Sequence, residues 1–219
     1  QGKTTIRFVT MGDSQRWYDE TEDFVKEINK RNDIDFVIHG GDMSDFGLTK
    51  EFLWQRDIMN GLNVPYVVLI GNHDCLGTGA ETYKAVFGPT NFSFIAGNVK
   101  FVCLNTNALE YDYSEPVPNF TFMEQEITSR LDEFEKTVIS MHARPYTDVF
   151  NDNVAKVFQH YIRQYPGIQV CTAAHTHHYQ DDVIFDDGIH YVTSDCMDYR
   201  TYLVFTITPE KYEYELVKY

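Results

Sequence analysis

Residues 65–74 read PYVVLIGNHD. An almost unbroken apolar run of strand length stops at Gly71, and an amide, an imidazole and a carboxylate follow at once as Asn72, His73 and Asp74. Apolar residues at successive positions suit a strand covered on both faces, which is the condition of a parallel strand between helices. The polar cluster behind it puts metal-capable side chains at that strand's carboxyl end.

The same texture recurs on both sides. Upstream, TTIRFVTM runs into Asp13 and Gln15, and IDFVIHG runs into Gly41 and Asp42. Downstream, VKFVCLNT is followed by KTVISMH, ending at His142, and by IQVCTAAH, which opens His175-Thr176-His177. Between the runs lie YDETEDFVKEINKRN, where Phe24, Val25 and Ile28 recur at helix spacing, TKEFLWQRDIMNGL, and stretches near 122–134 and 153–164. Strand–helix repetition predicts a largely parallel, helix-covered sheet. After His178 the segments DDVIFDDGIHYVTS and RTYLVFTITPEKYEYELVKY read as hairpins turning at Asp187-Gly188 and near Pro209-Glu210. An α/β first part ending in antiparallel strands predicts two mixed β-sheets packed face to face and flanked by helices, in one domain over residues 1–219.

Composition agrees with a compact domain: 219 residues, 43% hydrophobic and 23% charged. No apolar stretch approaches the roughly 20 residues that span a bilayer. The formal net charge of −15 disfavours nucleic acid and anionic lipid as electrostatic partners. A phosphorylated substrate stays compatible, because bound divalent cations reverse the sign locally. The chain starts at Gln1 rather than Met, so an exported protein with its leader removed is the expectation, and a cytoplasmic protein the alternative. Cys75, Cys103, Cys171 and Cys196 form no C-x-x-C pair, and Cys103 and Cys171 read as buried thiols.

In an open α/β sheet, ligands bind outside the carboxyl ends of the strands, so the polar clusters are expected to converge on one crevice. Two carboxylates, one or two amide oxygens and three or four imidazoles exceed what a single four-coordinate zinc requires. They suit two divalent ions about 3.5–4 Å apart that share a carboxylate.

The ordered series D-x-[H], G-D, G-N-H-D, H and [G]-H-x-H resembles the calcineurin-like metallophosphoesterases over nearly the whole chain. The resemblance implies a four-layer α/β/β/α sandwich and a phosphohydrolase acting on a phosphodiester, pyrophosphate or monoester by attack of a metal-bridging hydroxide. It implies that Asp13, Gln15, Asp42 and His177 surround one metal and Asp42, Asn72, His142 and His175 the other. His73 would be the general acid and Asp74 the residue orienting its imidazole. Two positions depart from the pattern. Ala174 replaces a glycine, which matters only where the backbone needs positive φ. Gln15 replaces a histidine, a D-x-Q variant also found in members resembling manganese-dependent ADP-ribose/CDP-alcohol pyrophosphatases. An amide oxygen is harder than imidazole, so Mn²⁺ is the expected metal, with Mg²⁺, Fe²⁺ or Zn²⁺ the alternatives. The competing reading of Gln15 is a catalytically inactive binding module on the same fold.

Other residues read more plainly. His39 is expected in the core, His160 and His190 at the surface, and His178 outside the site because neighbours on a strand face opposite ways. Trp17 is either a cleft wall or core packing, and Arg144 either a phosphate contact or a salt bridge. The irregular stretch 105–122 is either a lid or binding loop or a surface loop packed by its own aromatics, and the segment CLGTGAETY after Asp74 is a second candidate rim.

Overall fold

The computed structural model describes residues 3–108 and 116–219. Among the described residues, eleven strands form two sheets. In the first, β1 (Ile6–Met11), β2 (Phe36–His39) and β3 (Tyr66–Val68) run parallel, and β10 (Thr201–Ile207) and β11 (Tyr212–Lys218) continue past β1 as an antiparallel pair. In the second, β5 (Val99–Leu104), β6 (Lys136–Met141), β7 (Ile168–Ala173) and β9 (Tyr191–Thr193) are parallel. That sheet is edged by antiparallel β4 (Phe92–Ala96) and β8 (Gln180–Asp182).

Alternation along each strand builds the layers. On β1, Ile6 and Phe8 join Phe36, Ile38, Phe101, Val138, Val170 and Phe205 in a core between the two sheets. Phe8 stacks on Phe36 and meets Phe101 edge-on, with ring centroids 5.0 Å apart in the second pair. The intervening Val9 and Met11 face outward onto α1 (Tyr18–Ile28) and α2 (Thr49–Met59) through Phe24, Phe52 and Met59. Val102, Leu104, Ile139 and Met141 do the same on the other side, against Met123 of α4 (Phe120–Thr128) and Phe158 and Ile162 of α5 (Ala155–Ile162). Both strand faces are therefore dry, which is why the runs lack polar alternation. The order is helices, sheet, sheet, helices.

Several details differ from expectation. The segment read as a rim after Asp74 is a 3-10 turn followed by α3 (Gly79–Phe87), anchored where the buried Tyr83 hydroxyl donates to the Val68 carbonyl. Strand β4 was not foreseen. Helix α4 starts at Phe120 and stops at Thr128, well short of 134. A lysine explains the stop: fully buried Lys100 donates from Nζ to the Glu126 and Ser129 carbonyls and pairs with the Glu126 carboxylate at 2.9 Å. The positive charge caps the helix's unpaired carbonyl end. In the hairpin expected over 181–194, the pairing is Gln180–Asp182 against Tyr191–Thr193. Of the irregular stretch 105–122, residues 109–115 lie outside the described residues. No helix among the described residues is long and apolar enough to cross a membrane. All four cysteines are free thiols, with Cys103 and Cys171 buried as expected.

Candidate metal centre

The loops after β1 and β2 are zipped together at the carboxyl end of the first sheet. The Asp13 N–H donates to the Gly41 carbonyl, and the Ser14 and Gln15 N–H groups donate to the Asp42 carbonyl, at 2.9–3.0 Å. His39 lies beneath them in the core, as expected. The Gly41 N–H donates to its Nδ1 at 3.2 Å, so Nε2 carries the proton and donates to Ser14 Oγ at 2.8 Å. Burial pushes the His39 pKa down to about 3, which keeps the ring neutral.

The third loop, after β3, is bound to the second by Asp74. Its fully buried carboxylate accepts from the N–H groups of Asp42, Gly71 and Ser44 and from Ser44 Oγ, at 2.8–2.9 Å. Burial and the neighbouring Asp42 charge push its pKa up to about 7, and the donors from Ser44 and Gly71 work the other way. The expected contact from Asp74 to the His73 imidazole is not made. All of its acceptor capacity goes to the backbone and Ser44, and the His73 ring turns elsewhere: Nδ1–H donates to the Asp45 carbonyl at 2.8 Å. The Asp45 carboxylate is 3.7 Å from the same nitrogen and is itself paired with Arg16 at 2.5 Å. Asp45 thus occupies the place assigned to Asp74. The available signal was a second acid three residues after Asp42, in GDMSD.

The ligand-capable atoms converge. Asp42, His142 and His175 each offer one donor atom within 4.8 Å of the others, and so do Asp13, Asp42 and His177. Asp42 belongs to both groups. Its Oδ2 lies 3.4 Å from His142 Nε2 and 3.5 Å from Gln15 Nε2, and Asp13 Oδ1 lies 3.5 Å from His177 Nε2. Asn72 Oδ1 is 3.0 Å from His142 Nε2, while His142 Nδ1 donates to the Gly40 carbonyl at 2.8 Å. Burial opposes a charge on His142, but the Asp42 carboxylate outweighs it and raises the pKa to about 9. The Asp13 carboxylate facing it likewise raises that of His177. Asp13 Oδ1 and Gln15 Oε1 are both buried with no hydrogen-bond partner. Two unpaired buried oxygens beside a shared carboxylate and three imidazoles form a donor set suited to cations. The residues fit the metals that the resemblance implies.

The backbone here is strained. Asp13, Asp42, His175 and His177 all adopt positive φ, between +50° and +74°. Non-glycine residues seldom do so, at about 1–3 kcal/mol each. Gly71 is needed for a different reason: a Cβ there would lie 2.1 Å from Asp42 Oδ1. Ala174 is absent from the positive-φ residues, so its departure from glycine brings no strain. Its methyl instead fills the space above Gly12 and Gly40, whose own Cβ atoms would sit 3.0 and 2.8 Å from it.

A sequence model of the calcineurin-like phosphoesterases matches residues 6–179. The chain belongs to the calcineurin-like phosphoesterase family. Family membership and the paired ligand groups together support metal-dependent phosphoester hydrolysis. Among solved structures, a dimetal phosphatase from Danio rerio is similar at a TM-score of 0.74 and 11% identity, over 97% of either chain. A purple acid phosphatase from yellow lupin (Lupinus luteus) seeds is similar at 0.74 and 15%, over all of this chain and 52% of that one. GAP50, the anchor in the inner membrane complex of Plasmodium, is similar at 0.73 and 11%, over 99% of this chain and 85% of that one. At these identities the likeness is one of fold. No curated protein matches the chain significantly.

In this phosphoesterase, a cleft of about 320 Å³ opens beside the ligands, lined by Gln15, His73 and His177 and walled by Trp17, His178 and Tyr199 among others. His178 therefore borders the site after all: β7 ends at Ala173, so strand alternation does not govern it. Trp17 does both things asked of it, lining the cleft and packing on the core. Arg144 donates to Gln180 Oε1 and Asp182 Oδ2 at 2.8 Å, the salt-bridge alternative. His160 is exposed, and His190 pairs with Asp181 at 2.6 Å.

Proposed function

We propose that the chain is a dinuclear metal-dependent phosphohydrolase that uses His73 as general acid. The observation that carries this reading is the pair of ligand groups sharing Asp42, together with the unpartnered Asp13 Oδ1 and Gln15 Oε1. In it, Asp13, Gln15, Asp42 and His177 hold one ion, and Asp42, Asn72, His142 and His175 the other. When bound, two divalent ions supply an acidified water as nucleophile and neutralise charge on the phosphoryl oxygens. The chain's own residues supply the rest. His142 Nδ1–H is committed to the Gly40 carbonyl, which leaves Nε2 for a cation. His73 is held by its Nδ1 bond to Asp45 and lines the cleft, so its Nε2 is the nitrogen that delivers a proton to the departing oxygen. The departing group would enter the cleft that Trp17 and Tyr199 help to line. The D-x-Q variant tilts the substrate toward phosphodiesters and pyrophosphates and the metal toward Mn²⁺.

A panel of aryl monoester, aryl diester and nucleotide pyrophosphate, assayed separately with Mn²⁺, Mg²⁺, Fe²⁺ and Zn²⁺, tests this. Hydrolysis that is lost on chelation and in Asp42→Ala is expected. A pure, metal-loaded protein that cleaves none of them defeats the proposal. Gln15 in place of histidine favours one other reading, a binding module without catalysis. Metal analysis separates the two, since that module would hold one ion or none per chain.

A further inference from the structure

Asp148 is an exposed acid in contact with the site: its side chain is 86% exposed, yet it bonds to a ring only 11% exposed. That ring is His175, whose Nε2 lies 2.5 Å from Asp148 Oδ1. An ion pair at a surface is worth about 0–1 kcal/mol and commonly has no role beyond that. Here three features set the pair apart. First, His175 is fixed from its other end: its N–H donates to Asp13 Oδ2 at 2.9 Å and its φ is +74°. Second, the ring stands against His142, with centroids 5.1 Å apart. Third, the loop that carries Asp148 is braced on every side. Thr147 Oγ1 donates to the Arg144 carbonyl at 2.7 Å, the Tyr146 N–H donates to Asp152 Oδ1 at 2.9 Å, and the Ala108 N–H donates to the Val149 carbonyl at 2.8 Å. Arg144 is in turn held by Asp182. Nothing buries Asp148, so the loop geometry alone delivers it to the imidazole.

We infer that Asp148 is a positioning residue for His175, holding the Nε2 proton so that Nδ1 presents its lone pair toward Asp42 and His142. The inference rests on the dinuclear reading above. A neutral imidazole has one lone pair, and the nitrogen that carries it is set by the bond the other nitrogen makes. A carboxylate accepting from the far nitrogen also raises the basicity of the near one and fixes the ring plane. One loop thus serves the same ion twice: it begins at His142, which faces the site directly, and six residues on it supplies the acid that sets its neighbour.

Metal binding separates this role from an ordinary surface pair. Mn²⁺ is titrated calorimetrically into wild type, Asp148→Ala and Asp148→Asn, with electron paramagnetic resonance following the spin-coupled pair. Wild type is expected to take two ions. Asp148→Ala should weaken only one of them, by about 10–100-fold, and lose the coupled signal at low Mn²⁺. Asp148→Asn, whose amide oxygen still accepts from Nε2, should recover part of that loss. An unchanged second ion in Asp148→Ala overturns the inference. So does a tighter one, the result expected if Nε2 were the ligand and Asp148 its competitor. A wild type that takes fewer than two ions defeats the dinuclear reading itself, and is told apart because the failure precedes any substitution.

Discussion

Replacing Asp74 with asparagine separates a scaffold role from a catalytic one. The substitution preserves shape and removes one acceptor. At present the two carboxylate oxygens take four hydrogens, two on each side: Asp42 and Gly71 N–H on Oδ2, Ser44 N–H and Oγ–H on Oδ1. An amide can accept on one side only; with its oxygen toward the Asp42 and Gly71 N–H groups, its NH₂ faces the Ser44 N–H, while the Ser44 hydroxyl can turn to accept. Leaving that one buried donor unpaired costs about 1–3 kcal/mol. Urea unfolding of the metal-free protein above about pH 8, where Asp74 is charged, should show that loss, with the midpoint falling and the slope unchanged. Metal affinity should change little, because in that orientation the Asp42 N–H keeps its acceptor. Asp45→Asn is the contrasting variant. It removes the charge 3.7 Å from the His73 ring and leaves the carbonyl bond to Nδ1 in place. It should change stability by less than about 1 kcal/mol, as expected of a partly exposed pair, and lower kcat by loosening the imidazole. If Asp74→Asn keeps wild-type stability and loses only kcat, Asp74 rather than Asp45 serves His73.

Gln15→His exchanges an amide oxygen for an imidazole and should shift metal preference from Mn²⁺ or Mg²⁺ toward Zn²⁺ or iron; an unchanged metal profile would mean that Gln15 is not a ligand. Acid should destabilise the protein through His39. Its folded pKa, about 3, is far below the ordinary 6.5, so the unfolded chain takes up the proton first. The stability is full above pH 6.5 and is lost as pH falls toward 3, at about 1.4 kcal/mol per unit. In chelator-treated protein, wild type should therefore lose stability more steeply than His39→Gln between pH 6 and 4.5, and parallel curves would refute it.

What could be read in advance followed from burial. Strands dry on both faces announce themselves as unbroken apolar runs, and the polar residues that end them have nowhere to go but the crevice. Hence Asp13, Asp42, Asn72, His73, His142, His175 and His177 could be named from spacing and resemblance. What escaped depended on contacts between distant segments. Nothing local to residues 120–134 says that Lys100 will end α4, and nothing in GNHD says that Asp74 turns back to the Asp42 and Ser44 amides while Asp45 takes the histidine. Asp148 was passed over for the same reason: its partner is 27 residues away. His178 failed on a narrower point, the end of β7.

The left-handed backbone at Asp13, Asp42, His175 and His177 sets the fold's interest against that of its chemistry. Glycine at His175 or His177 would relieve that strain while deleting a donor atom; at Asp13 or Asp42 it would also strip the acceptor from the His175 or His73 N–H. A scaffold relieved of its reaction would therefore have most to gain at the two histidines. Two aspartates and two histidines stand at four places where the bare polypeptide would prefer no side chain.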